Sequence, residues 1–237
     1  MKKFEYTPPE QPRELILKLG QKITDRIGHT VTAEDPEYYG LEALVTDEMA
    51  EVALKMKVRK PMTLAQAVKA TGKEEKVLEE LLQEMSNIGL LEYNWENPKH
   101  EKQYVLPMYV PGSAEFFNMK LDQIKEHPEV ASFFERMAFL PLQKVTPMVP
   151  PGGAGIGMHV IPVEKAIETE NESVSVEHIS HWLDKYDGKY AAGPCSCRYS
   201  RGVLGEGCAD DPEDWCIGVG DMADYLVETN KGHYITR

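Results

Sequence analysis

Every cysteine in this chain falls between positions 195 and 216. Cys195 and Cys197 are separated by a single residue, Cys208 follows after ten more, and Cys216 after a further seven. Four thiols at these spacings can close around one metal centre, which obliges the short stretch that carries them to turn back on itself. Nothing else in the sequence competes with them as a chemical site. The rest of the composition sets the surroundings. A chain of 237 residues holds one large domain or two small ones, and a hydrophobic content of 42% is enough to bury a core. With 26 basic against 39 acidic residues and a formal net charge of −13, the surface repels nucleic acid and anionic membranes unless its basic residues are segregated.

No apolar run approaches the ~18–20 residues that a membrane span needs. The start, Met1-Lys2-Lys3-Phe4-Glu5-Tyr6, is charged but has no apolar stretch behind it, so a signal peptide is not expected. The expected location is therefore cytoplasmic. In a reducing compartment clustered cysteines bind metal or do redox work more often than they form structural disulfides.

Four regions are expected along the chain. Residues 1–40 form an N-terminal arm, with Pro8, Pro9 and Pro12 extended, followed by a helix whose Leu15, Leu19, Ile23 and Ile27 share one stripe and whose end is marked by Gly28. That stripe packs on the domain's own core or, as the alternative, forms a homodimer contact. In residues 41–112, Thr46 can cap a helix with Met49, Val52, Ala53 and Met56 on one face. Thr63 can cap a second, short helix, Leu64 to Ala70, closed by Gly72. A third runs from about Glu74 to Asn87, with Val77, Leu78, Leu81, Leu82 and Met85 inward and Gly89 as the stop. Two extended runs, 90–93 and 103–106, flank a polar tip. The order helix, helix, helix, hairpin resembles a winged helix-turn-helix. A DNA-reading version would place basic residues on the third helix, yet here Lys73 and Lys76 face Glu74, Glu75, Glu79, Glu80 and Glu84. No nucleic-acid partner is expected, and a protein-docking role is preferred.

Residues 113–158 read as a helical linker, with helices from Ala114 to Ile124 and from Pro128 to Phe139, and then a proline- and glycine-rich loop. The glycines at 152, 153, 155 and 157 miss the spacing of a phosphate loop. Residues 159–237 form the small four-cysteine domain. It is expected to begin with a strand at His159–Val163 and a helix capped by Ser175, on which His178 and His181 lie one turn apart. Lys189 to Ala192 is read as extended. Asp211-Pro212 is read as the start of a helix that carries Cys216 in its first turn, where the helix end favours thiolate.

From chemistry alone three readings of the thiols stay open. Four thiolates suit one iron–sulfur cluster, whose ligands come from loops of varied length. Nearby glycines would leave amides free to approach sulfur, and Arg198 would offset cluster charge. A structural zinc usually takes two pairs with two to four residues inside each, which the lone gap between Cys195 and Cys197 fits poorly. A redox dithiol normally uses C-x-x-C, which is absent.

The stretch from about 159 to 237 resembles a module of anaerobic bacteria and archaea. The likeness rests on Pro194-Cys195-Ser196-Cys197-Arg198, Gly207-Cys208, Asp211 through Cys216, and Gly232-His233-Tyr234-Ile235. In that family the module follows a winged helix and precedes ferredoxin-type 4Fe–4S motifs or an FAD-dependent pyridine-nucleotide-disulfide oxidoreductase. His233 stands where the family has arginine, and Ile217-Gly218-Val219-Gly220 is less bulky than the usual segment. The resemblance implies an α+β chain that carries one cluster, of the 4Fe–4S type, on Cys195, Cys197, Cys208 and Cys216. It also implies electron relay to or from a flavoprotein or ferredoxin partner, with any FAD on a downstream domain. The chain would then be a non-catalytic fragment or subunit of an oxidoreductase. A metal- or redox-sensing transcription regulator and a zinc-stabilised scaffold are the alternatives.

Overall fold

A computed structural model describes residues 6–134, 179–186, 188–205 and 216–236. The expected strand at 159–163, the glycine-rich loop, His178, Cys208 and Asp211-Pro212 lie outside these residues. The architecture is α+β, with two small antiparallel sheets set among short helices. Among the described residues no helix is long and apolar enough to cross a membrane.

The first helix, α1 (Glu14–Ile23), buries Ile16, Leu19, Gly20 and Ile23 and stops at Thr24. The stripe is therefore shorter than its spacing suggests. Ile27 lies beyond the helix and is fully exposed. The side chains after Ile23 bond elsewhere: Thr24 donates to Glu37 (2.6 Å), and the Arg26 guanidinium reaches Glu37 (2.5 Å) and Asp35 (2.8 Å). The apolar face considered as a dimer contact is covered by the chain's own α2 (Pro36–Leu44) and α3 (Asp47–Lys55). The sequence reading contains no α2, a helix opened by Pro36 that runs across the expected boundary at residue 40.

The caps expected farther on are present. Thr46 accepts the Met49 amide at the start of α3 (3.2 Å). Thr63 and Gln66 form a capping box that starts α4 (Leu64–Thr71), and Gly72 ends it in the left-handed region. Next, α5 (Glu75–Ile88) buries Leu78, Leu82, Met85 and Ser86 and ends on Gly89. Val77, expected inward, is half-exposed because it lies off the Leu78–Leu82–Met85 face. A two-residue strand, β1 (Met62–Thr63), joins the hairpin β2 (Glu92–Asn94) and β3 (Gln103–Val105) in a sheet of order β1-β3-β2.

The expected helix from Ala114 to Ile124 is two helices, α6 (Ser113–Phe117) and α7 (Leu121–Glu126), and α8 (Pro128–Phe134) follows. After α9 (Ile179–Lys185) come β4 (Tyr190–Gly193), α10 (Ser196–Val203), β5 (Cys216–Val219), α11 (Asp221–Glu228) and β6 (His233–Ile235). The second sheet has the order β5-β4-β6.

This second sheet is fastened to the first. Tyr225 of α11 is buried between Tyr93 and Phe116, with its hydroxyl donating to the Leu91 carbonyl (2.9 Å). Tyr93 donates to Glu228 (2.8 Å), and the Trp95 amide donates to Asp221 (2.8 Å). Lys231, 1% exposed, closes the C-terminal end of α5 by donating to the Ser86 and Asn87 carbonyls, each at 2.9 Å. One continuous core runs from Ile16 to Leu226.

Candidate metal centre

Strand pairing sets the geometry of the thiols. β4 runs antiparallel to both neighbours, with Ala192 opposite Ile217 and His233, and Gly193 opposite Cys216. Gly193 has to be glycine: a Cβ there would stand 2.4 Å from the Lys231 carbonyl oxygen. Pro194 is buried and turns the chain, and Cys195 then serves as the N-cap residue of α10, with Cys197 at its second position. Gly193 and Cys216 are thus cross-strand partners, and Cys195 follows two residues after the first of them.

This placement corrects one sequence expectation. Cys216 does not sit on a helix; it opens β5. Ile217 and Val219 are β-branched and suit a strand, and Gly220, at φ 62°, breaks the chain before α11 starts at Asp221. The helix start that serves Cys216 belongs instead to α10, because the Ser196 amide donates to the Cys216 sulfur. Cys195 and Cys197, which follow the extended run at 189–192, are the ones at a helix N-terminus. The eight-residue helix after Cys195 is not among the sequence expectations.

The thiols sense one another. Cys195 and Cys216 share a hydrogen bond. Burial pushes the Cys216 thiol up, and Cys195 adds to the shift. Cys197 is exposed as a residue, yet desolvation of its sulfur is the largest cause of a pKa pushed up to about 11. The neighbouring Cys195 adds to that shift, and Cys216 and Glu115 raise it further, while the Ser196 hydroxyl opposes them. Burial, with the neighbouring sulfurs adding to it, thus favours the protonated form at Cys197 and Cys216.

The structure therefore brings together Cys195, Cys197 and Cys216. All three are free thiols. Among the described residues no group of three His, Cys, Asp or Glu side chains closes tightly enough to hold a single metal ion. Arg198 follows Cys197 in the first turn of α10 and is half-buried. His181 lies on α9, and its expected companion His178 is outside the described residues.

Two neighbours of the thiols went unread in the sequence. Ser196 donates to two sulfurs, through its amide and its hydroxyl, and its place directly after the helix cap is the signal that would have identified it. Glu115 comes close to Cys197 only through the packing of α6 on α10, for which the sequence carries no local sign. Comparison with family models, curated proteins and solved structures finds no match to this chain.

Proposed function

We propose that the chain is an electron-transfer module that carries one iron–sulfur cluster on Cys195, Cys197, Cys208 and Cys216, of the 4Fe–4S type. One observation carries the reading: two thiols one residue apart and a third from a paired strand come together at the start of α10, with the Ser196 amide and hydroxyl aimed at sulfur. The donor set is thiol alone, which suits iron–sulfur clusters. When bound, such a cluster supplies one-electron storage.

The chain's own residues have simpler tasks. The three described cysteines fix the sulfur positions through the β4–β5 register. Ser196 stabilises negative charge on two of those sulfurs. Arg198, one residue beyond Cys197, offsets the charge of thiolates and cluster. The electron partner is a flavoprotein or a ferredoxin domain.

We read residues 41–112 as a winged helix. The order α3, β1, α4, α5, β2, β3 and the strand order β1-β3-β2 support this. Its third helix exposes Glu75, Glu79, Glu80 and Glu84, which disfavours phosphate contact. Its wing is engaged within the chain: the Lys102 ammonium lies 3.6 Å from the centre of the Tyr93 ring and 3.7 Å from Glu228. This domain then serves as a docking surface for protein.

Anaerobic reconstitution with iron and sulfide tests the reading. Equal amounts of iron and sulfide, a visible charge-transfer band and a reducible paramagnetic signal are expected. Serine at any of the four cysteines removes them. Tight binding of zinc with no incorporation of sulfide overturns the proposal, as does full cluster content in two of the four serine variants.

A further inference from the structure

Between Glu51 and Glu74 the chain carries six basic residues, Lys55, Lys57, Arg59, Lys60, Lys69 and Lys73, and no acidic one, although 39 of its 237 residues are acidic. Basic charge is therefore segregated in this stretch. Four of the six crowd into the end of α3 and the turn after it, and all four are exposed. The Lys60 amide donates to the Lys57 carbonyl (3.1 Å), which closes the turn, and the Arg59 amide donates to the Leu106 carbonyl (2.8 Å), which pins it beside β3. A fifth ammonium, on Lys22, arrives from α1 and donates to the Leu54 carbonyl (2.7 Å).

The stability of the fold accounts for only part of this set. Lys22 and Lys55 stand at the C-terminal end of α3, which favours cations, but that effect fades within the last turn. Lys57, Arg59 and Lys60 lie beyond it. Among the described residues Lys55, Lys57 and Lys60 make no ion pair, and Glu51, one turn before Lys55, leaves it unpaired. The Arg59 guanidinium donates to the Pro111 carbonyl (3.3 Å), and its charge bears on the half-buried Glu92. Arg59 also lies in the left-handed region, at φ 57°, which glycine or asparagine adopts at less cost. The turn thus holds like charges side by side with an arginine in an unfavourable backbone conformation, and Glu92 alone among the described acids answers it.

We propose that this turn receives an acidic patch on the electron partner, a proposal that rests on the docking role given to residues 41–112. Complementary charge steers encounter and fixes orientation more than it adds affinity, which suits a partner that must leave once an electron has passed. A duplex fits less well. It carries one charge per ~1.7 Å and extends past a turn this small, toward the exposed Glu75, Glu79 and Glu80 of the same domain. A patch of carboxylates on a protein can end where the turn ends.

Fluorescence anisotropy of a labelled oligoglutamate peptide, titrated with the full purified chain at low ionic strength, tests it. Saturable, salt-sensitive binding is expected. Lys57→Gln with Lys60→Gln weakens it about threefold to tenfold, the loss of two surface ion pairs. The same charge loss at two other exposed lysines, Lys99→Gln with Lys125→Gln, leaves the affinity within about twofold. Arg59→Asn weakens binding while the melting temperature holds or rises, because asparagine suits the left-handed backbone, and a purely structural arginine would not separate the two readouts. The proposal is overturned by the absence of saturable binding, by equal losses in the two double variants, by unchanged binding in Arg59→Asn, or by a DNA duplex that binds more tightly than the peptide at the same salt. The assay needs no cluster, so its failure is read separately from a failure to incorporate iron and sulfide.

Discussion

Replacing Tyr225 with phenylalanine isolates the contact that fastens α11 to the hairpin. The tyrosine is completely buried, and its ring stands edge-on to Tyr93 at 5.1 Å and to Phe116 at 5.0 Å. Phenylalanine keeps both ring contacts and removes the hydroxyl alone. The Leu91 carbonyl then loses a donor at 2.9 Å, while the Ser86 carbonyl, 3.3 Å from the same hydroxyl, keeps Lys231 at 2.9 Å. One buried acceptor is stranded, which costs about 1–2 kcal/mol. For a domain of this size each kcal/mol moves Tm by roughly 2–4 °C, so the melting point falls by roughly 2–8 °C. Tyr234→Phe is the control. Its hydroxyl also makes one hydrogen bond, to Asp224 at 2.9 Å, but the residue is 55% exposed and water replaces the partner. That change stays within about 0.5 kcal/mol. Urea denaturation at unchanged slope reads both. Equal losses in the two variants, or no loss in Tyr225→Phe, would refute the claim that burial rather than bond count sets the strength of this junction.

Three further outcomes are expected. Burial, with Lys120 adding, pushes the Lys231 pKa down from 10.5 to about 6. Between those values the unfolded chain holds the extra proton, so this residue makes stability rise with pH across the window and contributes no slope below about pH 6; urea midpoints measured across that range should lose this part of the slope in Lys231→Met. Gly193→Ala places a methyl group 2.4 Å from the Lys231 carbonyl oxygen and should destabilise by about 1–3 kcal/mol while loosening cluster retention, whereas Gly202→Ala, with nothing within 4 Å, should be neutral or mildly stabilising, as thermal melts and iron analysis would show. No sequence-specific duplex binding is expected at physiological salt, and a sub-micromolar gel shift that survives competitor DNA would contradict the docking role given to residues 41–112.

The parts of the fold legible in the sequence are those whose causes are local. Thr46, Thr63, Gly72 and Gly89 act on amides and carbonyls a few residues away, so the bounds of α3, α4 and α5 follow from short patterns. Misreadings arise where a distant partner decides. The spacing of four that runs through Ile27 gives no hint that Thr24 and Arg26 leave the helix to bond Glu37. The helix α2 buries Tyr38, Tyr39, Gly40 and Leu41 in succession, so it has no polar face and no period to detect. At the thiols, the residue types and spacing raise the expectation of a metal site, but the route by which Cys216 arrives does not show in them. The glycines around Ile217 and Val219 weaken any strand signal, and pairing with β4 supplies what the local sequence lacks.

The fastening of α11 and Lys231 to residues 86–95 joins positions 126 to 145 apart in the chain. Contacts of that span are the slowest to form, because a long loop must close before any of them is rewarded. On a ribosome the hairpin that receives Tyr225 emerges well before Tyr225 itself, so α3, α4 and α5 can reach their native arrangement while the cysteine strands are still being made. Residues 41–112 therefore offer a finished surface before the second sheet arrives, and the docking of α11 onto it fixes β5, and with it Cys216, last.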